Sequence, residues 1–374
     1  MDAMRIGNPG YDRSTAPRLA VERSWVFRPV AGEAFNHHPF IVHHDDRYLA
    51  MWSNGRQDED EAGQRVLCAV SRDGRTWDTP RVLAGPSPGR RHPLVLTACG
   101  FHAASDRLVA YVGQDEYAAL EDGRRPFDGR GRHDRGIRAL SSADGVTWCD
   151  AGLLGIPGIF NHAPQRLASG RLLAAGFIAF PYSDDPAGLV DWRMSGFADL
   201  AGHQDGPVSP SGYAIKERLG IASGLCEGAW LQADDGEIRM FLRSNTERLW
   251  ACASRDDGAS WSIPSPTAFT DNVSKFHLGR LPDGRHYYVG CPDPEPRWRR
   301  NPLVLSLSQD GLRFDRHAII ADEPGEQRFA GMHKVGDYGY PHSQVHDGAL
   351  HIVVSRCKES IEHLRIPLAQ IARL

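Results

Sequence analysis

A short motif that recurs four times constrains the fold of this chain more than any other feature. Each copy has a serine, a spacer, an Asp-Gly pair, another spacer and then an aromatic residue. The copies are "SRDGRTW" (71–77), "SADGVTW" (142–148), "SRDDGASW" (254–261) and "SLSQDGLRF" (306–314). Asp-Gly is typical of a tight turn, because glycine accepts positive φ and aspartate hydrogen-bonds its own backbone. Four such turns after β-prone runs predict a chain of repeated β units.

A second repeated unit consists of two apolar strands joined by a tight polar turn. It occurs six times, at 40–52, 98–112, 164–177, 229–242, 278–290 and 343–355. With the strand pairs that follow, these hairpins predict an all-β fold of six four-stranded antiparallel blades, with seven blades as the alternative. "LVDWRMSGF" (189–197) stands in the third unit where a motif is expected, and helical periodicity is limited to a short stretch near 113–121.

The repeated motif resembles the Asp-box of sialidase-like β-propellers. That resemblance implies one six-bladed propeller over residues 1–374, closed by pairing of an N-terminal strand near 24–30 with the last blade. It places the aspartates of the boxes on equivalent turns at one rim, away from the face that carries function. These aspartates are Asp73, Asp144, Asp257 and Asp310.

Composition excludes several classes of partner. The formal net charge is −4 with both signs interspersed, which argues against nucleic acid and anionic membranes as ligands. No apolar run is long enough to cross a membrane. The seven cysteines are scattered without CxxC spacing, so we expect free thiols and a cytoplasmic location.

The residues that precede each hairpin are the candidates for a functional site, because the first strand of each propeller blade lines the central channel. "FNHHP" (35–39) and "FNHAP" (160–164) repeat an Asn-His pair at this position, and His38, His162 and Tyr340 have the same offset from their turns. We therefore expect these side chains to meet at the channel mouth. The full set of candidates there is Asn36, His37, His38, Asn161, His162, Glu227, His277, Tyr340 and His342.

A closer resemblance to sialidases appears in "CEGAWLQADDGEIRMFLRSN" (226–245), where Glu227 and Arg243 match a sialidase glutamate and arginine. The resemblance further assigns Arg300 to a second substrate-binding arginine and Tyr340 to the tyrosine that attacks the anomeric carbon. It places the acid in the loop "QDEDEAGQRV" (57–66), at Asp60 or Glu61.

One departure from sialidases changes the expected chemistry. Sialidases begin the first blade with Arg-Ile-Pro, whose arginine binds the substrate carboxylate, whereas this chain has His-His-Pro at 37–39. The set is similar to that of lyases and rhamnosidases acting on L-rhamnosyl-α-1,4-glucuronate units. It implies β-elimination, with Arg243 and Arg300 on the carboxylate, His38 or His162 as base and Tyr340 as acid.

Three alternatives stay open. The first is hydrolysis by Tyr340 and Glu227, with Asp60 or Glu61 as acid. The second is a non-catalytic glycan-binding propeller. In both of these alternatives the ligand is an oligosaccharide that carries a carboxylate. The third is a divalent metal bound by His37, His38, His162, His277 and His342. No HxxxH or HxH spacing supports a metal among them, so no cofactor is expected.

Overall fold

The chain folds into a ring of six antiparallel sheets, as predicted. The structure, a computed structural model, describes residues 3–121, 123–126, 131–156, 158–196 and 224–374. The first strand of each sheet lies against the first strand of the next, and that of the sixth sheet lies against that of the first, which closes the ring. Among the described residues five sheets have four strands, and the third has three.

Each blade runs from its first, central strand outward in sequence order. The bounds of the strands in blades one to three are β2 Phe35–His44, β3 Arg47–Gly55, β4 Arg65–Ser71, β5 Arg81–Ala84, β6 Val95–Ala103, β7 Leu108–Tyr117, β8 Arg132–Ser142, β9 Cys149–Leu153, β10 His162–Arg166, β11 Leu172–Ala175 and β12 Tyr182–Ser183. Those in blades four to six are β13 Cys226–Gln232, β14 Ile238–Arg243, β15 Arg248–Ser254, β16 Ser265–Thr270, β17 His277–Arg280, β18 His286–Gly290, β19 Leu303–Ser308, β20 Phe314–Ala321, β21 Gly339–His346, β22 Ala349–Arg356 and β23 Ser360–Pro367.

The outer strand of blade six comes from the other end of the chain. Strand β1 (Glu22–Phe27) pairs antiparallel with β23. A 3₁₀ turn at Ala3–Arg5 and helix α1 (Leu368–Ile371) are the helical elements of the described residues. The short helix predicted near 113–121 is wrong, because β7 continues to Tyr117.

The core consists of six apolar clusters, each between two neighbouring blades. Blades one and two, for example, share a cluster that includes Phe40, Met51 and Leu96. Most inward-facing positions are therefore apolar, and the polar residues at the starts of the first strands are the exception. All seven cysteines are free thiols, as predicted. No helix among the described residues is long and apolar enough to span a membrane.

The Asp-boxes form the predicted turns between the third and fourth strands of their blades. The Asp73 carboxylate accepts hydrogen bonds from the backbone N–H groups of Arg75 and Thr76, both at 2.8 Å. Asp144 and Asp310 make the equivalent bonds. In the fourth blade the prediction of Asp257 is wrong. Asp256 occupies the box position there, because this box has one more residue between its serine and tryptophan.

Asp256 and Asp257 provide a matched test of this assignment. Asp256 accepts hydrogen bonds from the Ser260 backbone at 2.9 Å and the Ser254 hydroxyl at 2.8 Å, whereas Asp257 has a φ of 57°. We expect Asp256→Ala to lower the free energy of unfolding by about 1–2 kcal/mol, because it removes these two hydrogen bonds and a third from the Ser260 hydroxyl, all close to the surface. Asp257→Gly should leave it unchanged or raise it, because glycine relaxes the left-handed backbone. Urea unfolding curves would decide, and equal losses in both variants would contradict the assignment.

The third blade contains a box that its spacing conceals. The Asp185 carboxylate accepts hydrogen bonds from the backbone N–H groups of Ala187, Leu189 and Val190 at 2.8–3.1 Å. The Ser183 hydroxyl accepts the Asp185 N–H at 3.0 Å, and Trp192 follows. Extra residues between aspartate and tryptophan hide this fifth copy from a search at fixed spacing.

Candidate active site

Three first strands carry a β-bulge whose first residue has a left-handed backbone. The register of β2 against β3 shifts between His37 and Phe40, and β13 and β21 shift in the same way. The first bulged residue has a left-handed backbone in each strand, with φ of 54° at His38, 52° at Glu227 and 54° at Tyr340. All three side chains line one cavity of about 250 Å³. Strained bulges of this kind occur at functional sites, where they redirect a side chain.

His162 occupies a different position from the one that its sequence offset indicates. It pairs with Ala175 immediately before the irregularity of β10, as His37 pairs with Ser53 in β2. His162 is thus equivalent to His37, and the predicted alignment with His38 is wrong by one residue. His162 does not line the cavity.

Tyr340, Glu227 and Arg243 form one hydrogen-bonded group. The Tyr340 hydroxyl donates to Glu227 Oε1 in a very short contact. Arg243 Nη1 lies 2.5 Å from Glu227 Oε2 and 3.1 Å from the Tyr340 oxygen. Burial alone would raise the pKa of Glu227, but Arg243, the Tyr340 hydrogen bond and Arg300 together outweigh it, and the net shift is downward. Burial and the Glu227 charge hold the pKa of Tyr340 well above its usual value. The group therefore pairs an ionised carboxylate with a protonated phenol.

Arg300 lies beside Tyr340 but is not among the residues that line the cavity. Its guanidinium carbon is 5.4 Å from the centroid of the Tyr340 ring. Arg300 is 2% exposed, and its Nε and Nη1 atoms have no hydrogen-bond partner among the described residues. Arg243 and Arg300 thus both lie next to Tyr340, and both are cations with unused donors.

His37 and His38 pack against Tyr340. Their ring centroids lie 4.1 Å and 5.2 Å from that of Tyr340. Each Nδ1 is 2.6–3.1 Å from a serine hydroxyl, that of Ser355 for His37 and that of Ser53 for His38. Burial lowers the pKa of both imidazoles. They are therefore neutral at physiological pH, and His38 is the one that lines the cavity.

The other three candidate histidines form a separate cluster. The His277 ring centroid lies 5.3 Å from that of His162 and 4.4 Å from that of His342. Burial lowers the pKa of each, to about 3 in the case of His277. His277 Nδ1 lies 2.7 Å from the Ser343 hydroxyl. None of the three lines the cavity.

The two asparagines of the repeated Asn-His pair differ in their surroundings. Asn36 is fully buried, and its amide oxygen accepts hydrogen bonds from Trp52 and Asn54, both at 2.9 Å. Its amide nitrogen donates to two backbone carbonyls, so the whole group is used in holding the strand. Asn161 lines the cavity, and its Oδ1 has no hydrogen-bond partner among the described residues.

The acidic loop contributes Glu59 and Asp60 to the cavity, but not Glu61. Asp60 Oδ2 lies 2.6 Å from Arg132 and 3.5 Å from Arg125. Burial would raise the pKa of Asp60, but the two arginines lower it far below the usual range. Asp60 therefore carries no proton that it could donate at neutral pH.

The charge of the cavity lining is mainly positive. Five basic side chains line it, against three acidic ones. The basic residues are Arg125, Arg132, Arg135, Arg243 and Lys275, and the acidic ones are Glu59, Asp60 and Glu227. A small concave site with excess positive charge favours an anionic ligand.

A family model supports the architecture from the sequence side. The BNR repeat-like domain model matches residues 46–352, which is most of the chain. The chain belongs to the BNR repeat-like domain family. A search of curated protein sequences finds no significant match.

Solved structures similar to this BNR repeat-like protein include sialidases. A Dyadobacter fermentans protein of unknown function matches with a TM-score of 0.64 and 15% identity, over 93% of this chain and 99% of that one. A sialidase matches with a TM-score of 0.63 and 20% identity, over 97% of this chain and 34% of that one. A mutant Trypanosoma rangeli sialidase displaying trans-sialidase activity matches with a TM-score of 0.62 and 14% identity, over 94% of this chain and 60% of that one. The chain spans less than two thirds of both sialidases. At these identities the likeness shows the fold, a sialidase-like β-propeller.

One group in the BNR repeat-like site has donors suited to a metal ion. Ligand atoms of His37, His38 and Glu59 all lie within 4.8 Å of one another. Lys358 Nζ, however, lies 2.8 Å from Glu59, and the charges of Lys275 and Arg300 act on His37. A dication would be repelled by these cations, so the donor set does not favour a metal.

The charged cavity residues that the sequence did not predict include Lys275 and Glu59 as well as Arg125, Arg132 and Arg135. Lys275 stands in the hairpin entrance "SKFHL" (274–278), where the prediction named His277. Glu59 belongs to the acidic loop, where Asp60 and Glu61 were chosen. In both cases the segment was correct and the residue was not, because a channel-facing position cannot be told from its neighbour without the strand register.

Proposed function

We propose that this protein is a retaining glycosidase that acts on a terminal sugar carrying a carboxylate. The hydrogen-bonded group of Tyr340, Glu227 and Arg243 in a positively charged cavity carries this proposal. A tyrosine is a useful nucleophile when a carboxylate accepts its proton as it attacks, and Glu227 is ionised and in contact with the phenol.

The reaction begins with attack of the Tyr340 oxygen on the anomeric carbon, while its proton passes to Glu227. The C–O bond to the leaving group breaks, the departing oxygen takes a proton from solvent, and a tyrosyl glycoside forms. Water then attacks the same carbon and loses a proton to solvent, Glu227 returns its proton to the tyrosine oxygen, and the sugar leaves with retained configuration. Arg243 keeps Glu227 ionised and also faces the substrate.

The sugar carboxylate accounts for the excess positive charge of the cavity. Arg243 and Arg300 flank Tyr340 with unused N–H donors. Guanidinium groups bind carboxylates through strong charge-assisted hydrogen bonds. Asp60 has no acid role in this proposal, since Arg125 and Arg132 keep it ionised. Its function is to hold those two arginines at the cavity wall.

The direct test is a panel of 4-methylumbelliferyl glycosides, whose leaving group departs without a strong acid. We expect fluorescence release from an α-N-acetylneuraminide or a glucuronide, and none from a neutral rhamnoside or glucoside. A fluorinated acidic sugar should leave a covalent adduct on Tyr340, detectable by peptide mass spectrometry. Release only from neutral sugars, or an adduct on another residue, would refute the proposal.

The second candidate is β-elimination next to a uronate, which the contact of His38 with Tyr340 favours. A neutral His38 can accept the proton at C5, and Tyr340 can protonate the leaving oxygen. Digestion of uronate oligosaccharides distinguishes the two reactions. Elimination produces an unsaturated uronate with a new ultraviolet absorbance, whereas hydrolysis releases sugar without it. If neither product forms and an acidic sugar still binds, the propeller is a binding module.

A further inference from the structure

Lys275 carries a buried amine to which no described residue offers a hydrogen-bond acceptor. It is 1% exposed, and Nζ has no hydrogen-bond partner among the described residues. The nitrogen lies 4.4 Å from the centroid of the Phe40 ring and 5.7 Å from that of Tyr340. The same side chain lines the cavity that holds Tyr340 and Glu227. Burying an amine with unused donors is costly, and such a group indicates a ligand that supplies the acceptor.

Lys275 lies beside the segment that replaces the first-blade arginine of sialidases, since its charge acts on His37 and its nitrogen contacts Phe40. Phe40 follows the His-His-Pro sequence that stands where sialidases carry their first-blade arginine. We propose that Lys275, from the segment before β17, extends across the channel and binds the substrate carboxylate in place of that arginine. This proposal rests on the acidic substrate proposed above and identifies the residue that makes its recognition depend on pH.

The groups around Lys275 determine its protonation. Burial lowers the pKa of Lys275 from 10.5 to about 7, and the Glu227 charge opposes that shift. Other titratable groups that face it from the packed strands are Cys99, His37, His38, His162, His277 and His342. The histidines are neutral and the thiol is protonated, so they do not supply a counter-ion. A bound carboxylate would supply one and would raise the pKa of the amine.

The sign of the pH effect follows from this linkage. The ammonium form binds the carboxylate, so affinity is greatest below about pH 7 and falls by up to about tenfold per pH unit above it. Binding at about pH 8 takes up close to one proton, because the free amine is mostly neutral there and the bound one is charged. Binding at about pH 6 takes up almost none.

Isothermal titration calorimetry of the full chain tests this directly. Free N-acetylneuraminate and glucuronate are titrated at about pH 8 in phosphate and in Tris, and at about pH 6 in phosphate and in Bis-Tris, because the two buffers of each pair have different ionisation enthalpies. We expect the apparent enthalpy at the higher pH to depend on the buffer for at least one of the two acids. N-acetylglucosamine, which is neutral, is the control ligand and should show no such dependence.

Two variants separate Lys275 from the histidines. Lys275→Met should weaken binding of the acid by roughly 10- to 100-fold, the usual effect of losing a charged hydrogen bond, and remove the proton uptake. Its melting temperature should not fall, since a buried unpaired amine is replaced by an apolar group of similar shape. Lys275→Arg should keep the affinity and lose the uptake, because arginine stays charged.

Several outcomes would overturn the proposal. Persisting proton uptake in Lys275→Arg assigns the proton to a histidine. Unchanged affinity in Lys275→Met, or no binding of either acid by the parent chain, removes Lys275 from recognition. A fall in kcat at unchanged KM in Lys275→Met makes the lysine a proton donor instead. A Tyr340 variant separates this proposal from the glycosidase mechanism. If it loses turnover but still binds the acidic sugar with proton uptake, both proposals are supported. If it keeps full turnover, only the glycosidase mechanism is rejected.

Discussion

Tyr340→Phe is expected to lower kcat for an acidic aryl glycoside by at least about 10³-fold, the loss typical of removing a nucleophile. The free energy of unfolding should fall by only about 1–2 kcal/mol, because Glu227 keeps its contact with Arg243. Steady-state fluorescence release and thermal unfolding measure the two effects.

Tyr338→Phe is the matched control for this variant. Tyr338 is also buried and also donates its hydroxyl to a glutamate, Glu323, at 2.7 Å, but it does not line the cavity. We expect a similar loss of stability with turnover unchanged. Equal turnover losses in both variants would show that packing around β21, rather than the Tyr340 oxygen, controls the rate.

Arg243→Met is expected to damage both stability and substrate binding. It leaves the Glu227 charge buried without its cation, which typically costs about 3–5 kcal/mol. KM for an acidic substrate should rise by roughly 10- to 100-fold through the lost charged hydrogen bond. Burial would then raise the pKa of Glu227, so the acid limb of the pH–rate profile should move to higher pH, since the carboxylate must be ionised to accept a proton.

Arg239→Met provides the comparison in the same strand. Arg239 Nε lies 3.0 Å from Glu237, another buried carboxylate, but the pair is outside the cavity and Arg255 also contacts Glu237 at 2.7 Å. We expect a smaller loss of stability, with KM and the pH profile unchanged. An Arg243→Met enzyme with normal KM would show that this arginine only supports Glu227.

The fold was predictable because its signal is local. Serine, aspartate and glycine within a few residues determine an Asp-box turn, and the aromatic residue packs beneath it. The errors arose where spacing changed by insertion. The fourth box has one extra residue between its serine and tryptophan, so the aspartate of the turn is Asp256 and not Asp257. In the third blade a longer insertion before the tryptophan concealed the box at Ser183 and Asp185.

The site was predictable at the level of segments and less so at the level of residues. The channel-facing starts of the first strands were identified correctly, and they include Glu227, Tyr340 and His38. A β-bulge adds one residue without a sequence signature, so His162 was misaligned. The state of Asp60 depends on Arg125 and Arg132, which are distant in the chain and adjacent only after folding.

The left-handed backbone at His38, Glu227 and Tyr340 has a consequence for evolution and engineering. Each of these residues costs about 1 kcal/mol relative to glycine at the same φ. Glycine would remove that strain, but it would also leave a cavity and, at Glu227, a buried Arg243 without its carboxylate, which costs more. Directed evolution for heat resistance would therefore keep these side chains, whereas a natural homologue with glycine at the three bulges would be a pseudoenzyme that has kept the scaffold and lost the chemistry.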